Sequence, residues 1–66
     1  MCLSIAYKNK VSPENVIMKN VMSFECQNGE ITFVDLMERT LKVKGELEKA
    51  DMVNNYILIK TSEGEN

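Results

Sequence analysis

An Asn-Gly dipeptide between two alternating segments constrains the fold of this chain more than any other feature. Asn28-Gly29 is a strong hairpin signal, because a type I′ turn needs positive φ at both of its central residues. Apolar and polar residues alternate over 22–27 before the turn and over 30–34 after it. Alternation with a period of two is typical of a half-buried strand. The sequence therefore predicts a β-hairpin over residues 21–34.

Further short strands are predicted on both sides of this hairpin. Residues 2–8 form a strand candidate that is uncharged up to Tyr7, residues 39–44 alternate again, and residues 56–60 follow a tight turn at Asn54-Asn55. The segment 46–53 is open to two interpretations. Its Leu, Glu, Lys and Ala residues favour a helix, whereas the turn after it favours a strand paired with 56–60.

The number and spacing of these segments predict the fold class. About six short strands joined by tight turns are typical of a small all-β domain, here an SH3-like antiparallel barrel. The chain has 66 residues, enough for one domain. We expect this domain to cover residues 1–60, with a loose polar C-terminal tail over residues 61–66.

Charge and hydropathy exclude several classes of protein. The net charge of −2 indicates no basic face of the kind that nucleic-acid-binding proteins present, so no nucleic-acid partner is expected. The sequence has no apolar run long enough to span a bilayer and no secretory signal. We therefore expect a cytoplasmic protein without a membrane partner.

The first strand carries no charge on either side. Its two faces are lined by Leu3, Ile5 and Tyr7 on one side and by Cys2, Ser4 and Ala6 on the other. We expect both faces to be covered, one by the barrel and one by a second copy of the chain. A two-fold related copy would bring two Cys2 residues near one axis, which predicts a homodimer.

Cys2 is the candidate metal ligand. A small residue after the initiator Met normally permits its removal, which would leave Cys2 with an α-amine and a thiolate that can chelate one ion. The chain has no histidine, so both the commonest metal ligand and the commonest general base are missing. A buried apolar cysteine is the alternative interpretation of Cys2. Cys26 alternates with Phe24 and is predicted to lie in the core or in an interface.

The remaining candidate residues have simpler interpretations. Methionine thioethers are soft ligands that suit copper(I), but the methionines after Met1 lie in separate apolar segments and are predicted to fill the core. These methionines are Met18, Met22, Met37 and Met52. Asp35 and Asp51 end strands and are predicted to cap turns. Because no nucleophile or base accompanies the two carboxylates, we do not expect an enzyme.

RNA binding by a small barrel is the alternative function, and a metal-free interaction module is a further one. Small barrels bind single strands through stacking aromatic side chains and a basic groove. Of the four aromatic residues, Phe24 and Phe33 are predicted to face inward, which leaves Tyr7 and Tyr56. The one basic cluster is Lys8 and Lys10, which would lie beside Lys42 and Lys44 if their strands pair.

Four stretches, taken in order, carry a family resemblance. They are Met1-Cys2-Leu3-Ser4 with Tyr7, then Met18-Lys19-Asn20-Val21, then Thr32-Phe33-Val34-Asp35-Leu36, and finally Gly45, Ala50-Asp51-Met52 and Tyr56-Ile57-Leu58-Ile59. Together they resemble the CooT-like proteins, which are small cytosolic nickel-binding proteins also catalogued as predicted RNA-binding proteins. The resemblance spans roughly residues 1–60.

The resemblance implies a specific function. It implies an SH3-like barrel, a homodimer, and one Ni(II) held between the subunits by Cys2 of each chain. It also implies a metallochaperone that delivers nickel to an enzyme such as carbon monoxide dehydrogenase. Only Cys2 is carried over as a ligand. Two features depart from the family pattern: Met37-Glu38-Arg39 lacks the usual Gly after the Asp-Leu turn, and Cys26 has no counterpart.

Overall fold

The computed structural model describes residues 3–61, which form one six-stranded β-sheet. Its strands are β1 Ser4–Lys8, β2 Val16–Gln27, β3 Glu30–Asp35, β4 Thr40–Lys44, β5 Glu46–Asp51 and β6 Tyr56–Lys60, with a 3-10 turn at Pro13–Asn15. The prediction of an all-β fold with about six short strands is confirmed. Within the described residues, no helix has the length and apolar character needed to cross a membrane.

The predicted central hairpin is formed by β2 and β3. Phe24 pairs with Phe33, and the pairing continues to Gln27 and Glu30 beside the turn. Both turn residues have positive φ, 53° at Asn28 and 76° at Gly29. Asn and Gly tolerate this left-handed conformation better than other residues, so the turn forms where the sequence predicts it.

The open question about residues 46–53 is resolved in favour of a strand. β5 and β6 form an antiparallel hairpin in which Leu47 lies opposite Ile59 and Ala50 opposite Ile57. Both β6 residues are buried in the core. Because packing beside a buried strand stabilises β5, tertiary contacts override the helix propensity of its individual residues.

The strand order shows how the sheet differs from a closed antiparallel barrel. The order is β4-β3-β2-β1-β6-β5, and β1 pairs with β6 in parallel while every other pair is antiparallel. β4 and β5 are the two edges, and within residues 3–61 they do not pair. Only Gly45 lies between them. A hairpin needs at least a two-residue turn, so the chain bends at Gly45 and continues to the other edge of the sheet.

The core is formed by side chains from four of the strands. Its fully buried apolar residues are Ala6 of β1, Val21 of β2, Ile31 and Phe33 of β3, and Ile57 and Ile59 of β6. Leu41 and Val43 of β4 pack against this cluster from one edge and are only partly buried. The core therefore depends on β1 and β6, which come from opposite ends of the described chain.

The prediction that the methionines fill the core is wrong for three of them. Met22, Met37 and Met52 are 40%, 71% and 68% exposed, and Met18 packs against the core only in part. Met37 and Met52 lie in turns that follow β3 and β5. Met22 lies where the register between β2 and β3 shifts, a kind of irregularity that interrupts strict alternation.

Two other expectations also differ from the structure. Cys26 is exposed although its partner Ile31 in β3 is buried, so the core alternative for Cys26 is wrong and the interface alternative stays a prediction. Thr61, the first residue of the predicted tail, is buried, and its backbone N–H donates to Oδ1 of Asn9 at 2.9 Å. Residues 62–66 of the tail lie outside the described residues.

Asp35 caps the turn between β3 and β4, as predicted. Its Oδ1 accepts hydrogen bonds from the backbone N–H groups of Met37 and Arg39, and its Oδ2 accepts one from Arg39 Nε at 2.8 Å. The hydrogen bond from the Arg39 backbone is the main reason that the pKa of Asp35 is lowered, while burial opposes the shift. Glu38 has a φ of 65°, so the turn adopts a left-handed residue without the expected Gly.

Asp51 caps the turn between β5 and β6 in the same way. Its Oδ1 accepts from the backbone N–H groups of Val53 and Asn54, and its Oδ2 accepts from Asn54 Nδ2. The backbone hydrogen bond from Asn54 is the main cause of a lowered pKa at Asp51. Both predicted caps are therefore confirmed, and both carboxylates are engaged in turn formation.

We expect the stabilising effect of Asp35 to depend on pH. Because its folded pKa lies below the ordinary value of 3.8, the carboxylate stabilises the fold above that pH. This contribution is lost as the pH falls through the lowered folded pKa. In urea denaturation at pH 7, Asp35→Asn should have a lower midpoint urea concentration than the wild type. This difference in midpoint should become smaller below pH 3.8. A difference that does not change with pH would contradict this account, and Glu38→Gln, at an exposed position, is the control.

Gly45→Ala should destabilise the fold. A Cβ at this position would lie 2.6 Å from the backbone oxygen of Lys60, and a backbone atom cannot move away as a flexible side chain can. We expect the free energy of unfolding to fall by about 1–3 kcal/mol, as for other overpacked sites. Lys44→Ala, at the exposed neighbouring position, should change it by only about 0.5 kcal/mol. Equal effects of the two substitutions in denaturant titrations would refute the close approach.

Candidate functional site at the N-terminal strand

Cys2, the predicted metal ligand, lies outside the described residues, as does Met1. In the sequence, only Leu3 separates Cys2 from Ser4, the first residue of β1. The relevant surface is therefore the part of the molecule around the beginning of β1.

β1 is an interior strand with partners on both sides. Ser4 lies opposite Val21 of β2, and Ile5 lies beside Tyr56 of β6. Ser4 and Ala6 are both buried, so one face of β1 packs against the core, as predicted. Because both edges of the strand are hydrogen-bonded, the start of β1 is a well-supported point from which to present the preceding residues.

The opposite face of β1 continues into β6 as one apolar surface. Burial alternates along both strands, which places their half-buried residues on the outer side of the sheet. We call this surface the apolar strip; it consists of Leu3, Ile5, Tyr7, Tyr56 and Leu58. The rings of Tyr7 and Tyr56 meet edge to face, with centroids 6.1 Å apart. These five side chains are uncharged, and two cations border them: Lys49 Nζ lies 5.8 Å from the centroid of the Tyr56 ring, and Lys60 follows Leu58 on the same side of β6.

The outer side of β3 and β4 is polar by contrast. Thr32 lies opposite Lys42, and Lys42 Nζ lies 3.7 Å from Oε1 of Glu30. The apolar character of the strip is therefore a local property of β1 and β6. The sequence predicts the β1 half of this surface but does not by itself assign Tyr56 and Leu58 to it. The signal for these two residues is their alternation with Ile57 and Ile59.

A small groove lies beside the beginning of β1. It has a volume of about 280 Å3 and is lined by Ser4, Val21, Met22, Ser23, Phe24, Met52, Asn55 and Ile57. Two thioether sulfurs thus come near Ser4, but no carboxylate or thiol is among the lining residues. The groove surrounds the beginning of β1 mainly with apolar side chains, and its lining residues provide no anionic metal ligand.

Residues 3–61 contain no group of three or more His, Cys, Asp or Glu side chains that could hold a metal ion. Asp35 and Asp51 are engaged in their turns. Cys26 lies five residues beyond Val21, the partner of Ser4, which is roughly 17 Å along an extended strand. The structure therefore does not gather the other sequence candidates into one site.

The features expected of an RNA-binding surface are also not brought together. Lys42 and Lys44 lie in β4, which is separated from β1 by β3 and β2, so they do not pair with the strand that carries Lys8. Phe33 is fully buried, and Phe24 packs against the core. Tyr7 and Tyr56 pack on each other in the apolar strip.

Comparison with known proteins identifies the family. A search of curated proteins finds no match to the chain. The family described as CO dehydrogenase accessory protein CooT has a sequence model that matches residues 1–60. This match includes Cys2, all six strands and both capped turns. Because it covers most of the 66 residues, the chain belongs to the family of CO dehydrogenase accessory proteins CooT.

Proposed function

We propose that the protein carries nickel as a homodimer in the cytoplasm. One Ni(II) ion is held between two copies by Cys2 of each chain, after removal of Met1, and is passed to a nickel enzyme such as carbon monoxide dehydrogenase. The nickel is cargo, so the protein acts as a carrier and not as a catalyst. The family description supports the accessory role. The uncharged apolar strip beside the beginning of β1 is the observation that supports a shared site.

The number of available donors argues for two chains. One processed chain end supplies one thiolate sulfur and one nitrogen, whereas Ni(II) with such ligands prefers a four-donor square-planar or tetragonal arrangement. The chain has no histidine, and residues 3–61 contain no cluster of metal ligands that could complete the set. A second copy of the same end supplies the two donors that are needed.

The apolar strip provides a reason for two copies to meet near these ends. Leu3 and Ile5 lie directly after the proposed ligand, and Tyr7, Tyr56 and Leu58 extend the same surface. A two-fold interface uses the same patch on both subunits, and the strip can face its own copy because its five side chains are uncharged, with Lys49 and Lys60 at its border. Burying these side chains in a dimer is favourable because it removes apolar surface from water.

The proposed ligands also make nickel uptake dependent on pH. The thiolate is the form of cysteine that binds metal, and a free α-amine with an ordinary pKa of about 7.7–8.0 must lose its proton to bind. Binding therefore releases protons and strengthens as the pH rises through this range. A site built from two chain ends can pass on its ion by ligand exchange, without unfolding of the β-sheet.

Nickel titration with Cys2→Ser and Cys26→Ser tests the ligand assignment. We expect the wild type to bind one ion per two chains, with thiolate-to-metal absorption, once mass spectrometry has verified removal of Met1. Cys2→Ser should abolish the absorption because it removes both sulfur donors. Cys26→Ser is the matched control and should leave it unchanged. One ion per chain, or absorption that survives Cys2→Ser, would reject the shared site.

Substitution within the apolar strip tests the dimer. Ile5→Glu places a charge on the outer side of β1 without introducing it into the core, so sedimentation velocity should give a monomer with an unchanged circular dichroism spectrum. Thr32→Glu places the same charge on the polar outer side of β3 and should remain dimeric. A wild type that is monomeric at micromolar concentration, or an Ile5→Glu variant that stays dimeric, would rule out the strip as the interface.

A further inference from the structure

A long groove follows β4 on the side away from β3. It consists of three adjoining clefts of about 500, 270 and 420 Å3. The first two share Ile17 and Leu41, and the second and third share Thr61. We call it the β4 groove; it is bounded by Arg39, Leu41, Val43 and Lys44 on one side and by Ile17 and Ile59 on the other.

The backbone of β4 is available for pairing along this groove. β4 has β3 as its only neighbour in the sheet formed by residues 3–61, so its other edge has no strand partner there. The free edge of a strand presents N–H and C=O groups that another extended chain can pair with. The groove floor beside it is apolar, formed by Ile17, Leu41, Val43 and Ile59. This combination suits a peptide that adds as a further strand.

The rim of the groove concentrates positive charge in an acidic protein. Five of the eight Lys and Arg residues line the three clefts: Lys19 and Arg39 the first, Lys8 the second, and Lys44 and Lys60 the third. Of the eight acidic residues within residues 3–61, only Asp35 and Glu46 do so. Asp35 is buried and paired with Arg39, whose side chain remains 73% exposed. The rim is therefore cationic although the chain carries a net charge of −2.

We propose that the β4 groove binds an extended acidic segment of a partner protein. The segment pairs with the free edge of β4, places alternate apolar side chains on the floor, and directs its carboxylates toward the cationic rim. Strand addition obtains affinity from backbone hydrogen bonds and specificity from alternate side chains, and this groove provides both. Opposite charge across the interface also favours the acidic partner over others.

The lining favours a peptide over a nucleic acid. Proteins that bind single strands stack bases on aromatic side chains. None of the four aromatic residues lines the three clefts. The groove therefore provides positive charge and a strand edge for pairing, but its lining has no aromatic side chain on which a base could stack. It also lies apart from the apolar strip, with which it shares no residue, so this proposal does not depend on nickel binding or on the dimer.

Binding of a designed peptide to the full chain tests the proposal. The probe is a fluorescein-labelled octapeptide of alternating Glu and Val, followed by anisotropy at low salt. We expect saturable binding that weakens as salt is added, because the rim charges are exposed and are screened by ions. The same peptide N-methylated at alternate residues keeps its charge but cannot pair with β4, so it should not bind. A Gln-Val peptide should bind more weakly.

Paired variants locate the site. Lys19→Gln with Lys60→Gln removes two exposed rim charges and should weaken binding roughly tenfold, in line with about 0.5–1 kcal/mol for each exposed charge. Lys10→Gln with Lys49→Gln removes two exposed charges outside the groove and away from β4 and should have little effect. Equal loss in both variants would overturn the proposal, as would equal binding of the N-methylated peptide or no binding at all.

Two further outcomes would assign the groove to another occupant. Tighter binding of a uridine 12-mer than of the Glu-Val peptide, lost in the Lys19→Gln, Lys60→Gln variant, would replace the peptide with RNA. Self-association of the wild type that is lost in that variant and retained in Lys10→Gln, Lys49→Gln would replace it with a second copy of the chain. Either result would overturn the assignment to a partner peptide.

Discussion

The pairing of β1 along both of its edges is the interaction on which the rest of the structure depends. β1 joins the two halves of the sheet, because it pairs with β2 on one side and with β6 on the other. Four of the six buried apolar core residues belong to this junction. They are Ala6 of β1, Ile57 and Ile59 of β6, and Val21 of β2, which lies opposite Ser4. Without this junction, the β2–β3–β4 unit and the β5–β6 hairpin would be separate small sheets, and such pieces are marginally stable alone.

The same junction explains how a short chain presents its first residues. A terminal segment is usually loosely held, but here the residues directly before β1 are attached to a strand supported on both sides. One face of that strand is taken up by the core, and the other is the apolar strip. The strip begins at Leu3, the residue that follows Cys2 in the sequence, and it is the surface on which a second copy is proposed to bind.

The passage of the chain from β4 to β5 through Gly45 determines the two edges of the sheet. Because one residue between the strands is too few for a hairpin turn, β4 and β5 do not pair, and within residues 3–61 β4 keeps one edge without a strand partner. The close approach to Lys60 requires a residue without a side chain at this bend. Charge is unevenly distributed: the five side chains of the apolar strip are uncharged, and five of the eight Lys and Arg residues line the β4 groove.

The sequence by itself determined the local structure: the hairpin at Asn28-Gly29, the strands other than β5, and the caps at Asp35 and Asp51. These features depend on alternation and turn chemistry, which act over a few residues. It also identified Cys2 and the Leu3, Ile5 and Tyr7 face. Only the tertiary structure decided the parallel pairing of β1 with β6, the exposure of Met22, Met52 and Cys26, the addition of Tyr56 and Leu58 to the strip, and the cationic groove. Burial and surface charge depend on which distant strands become neighbours, and no local period in a sequence specifies that.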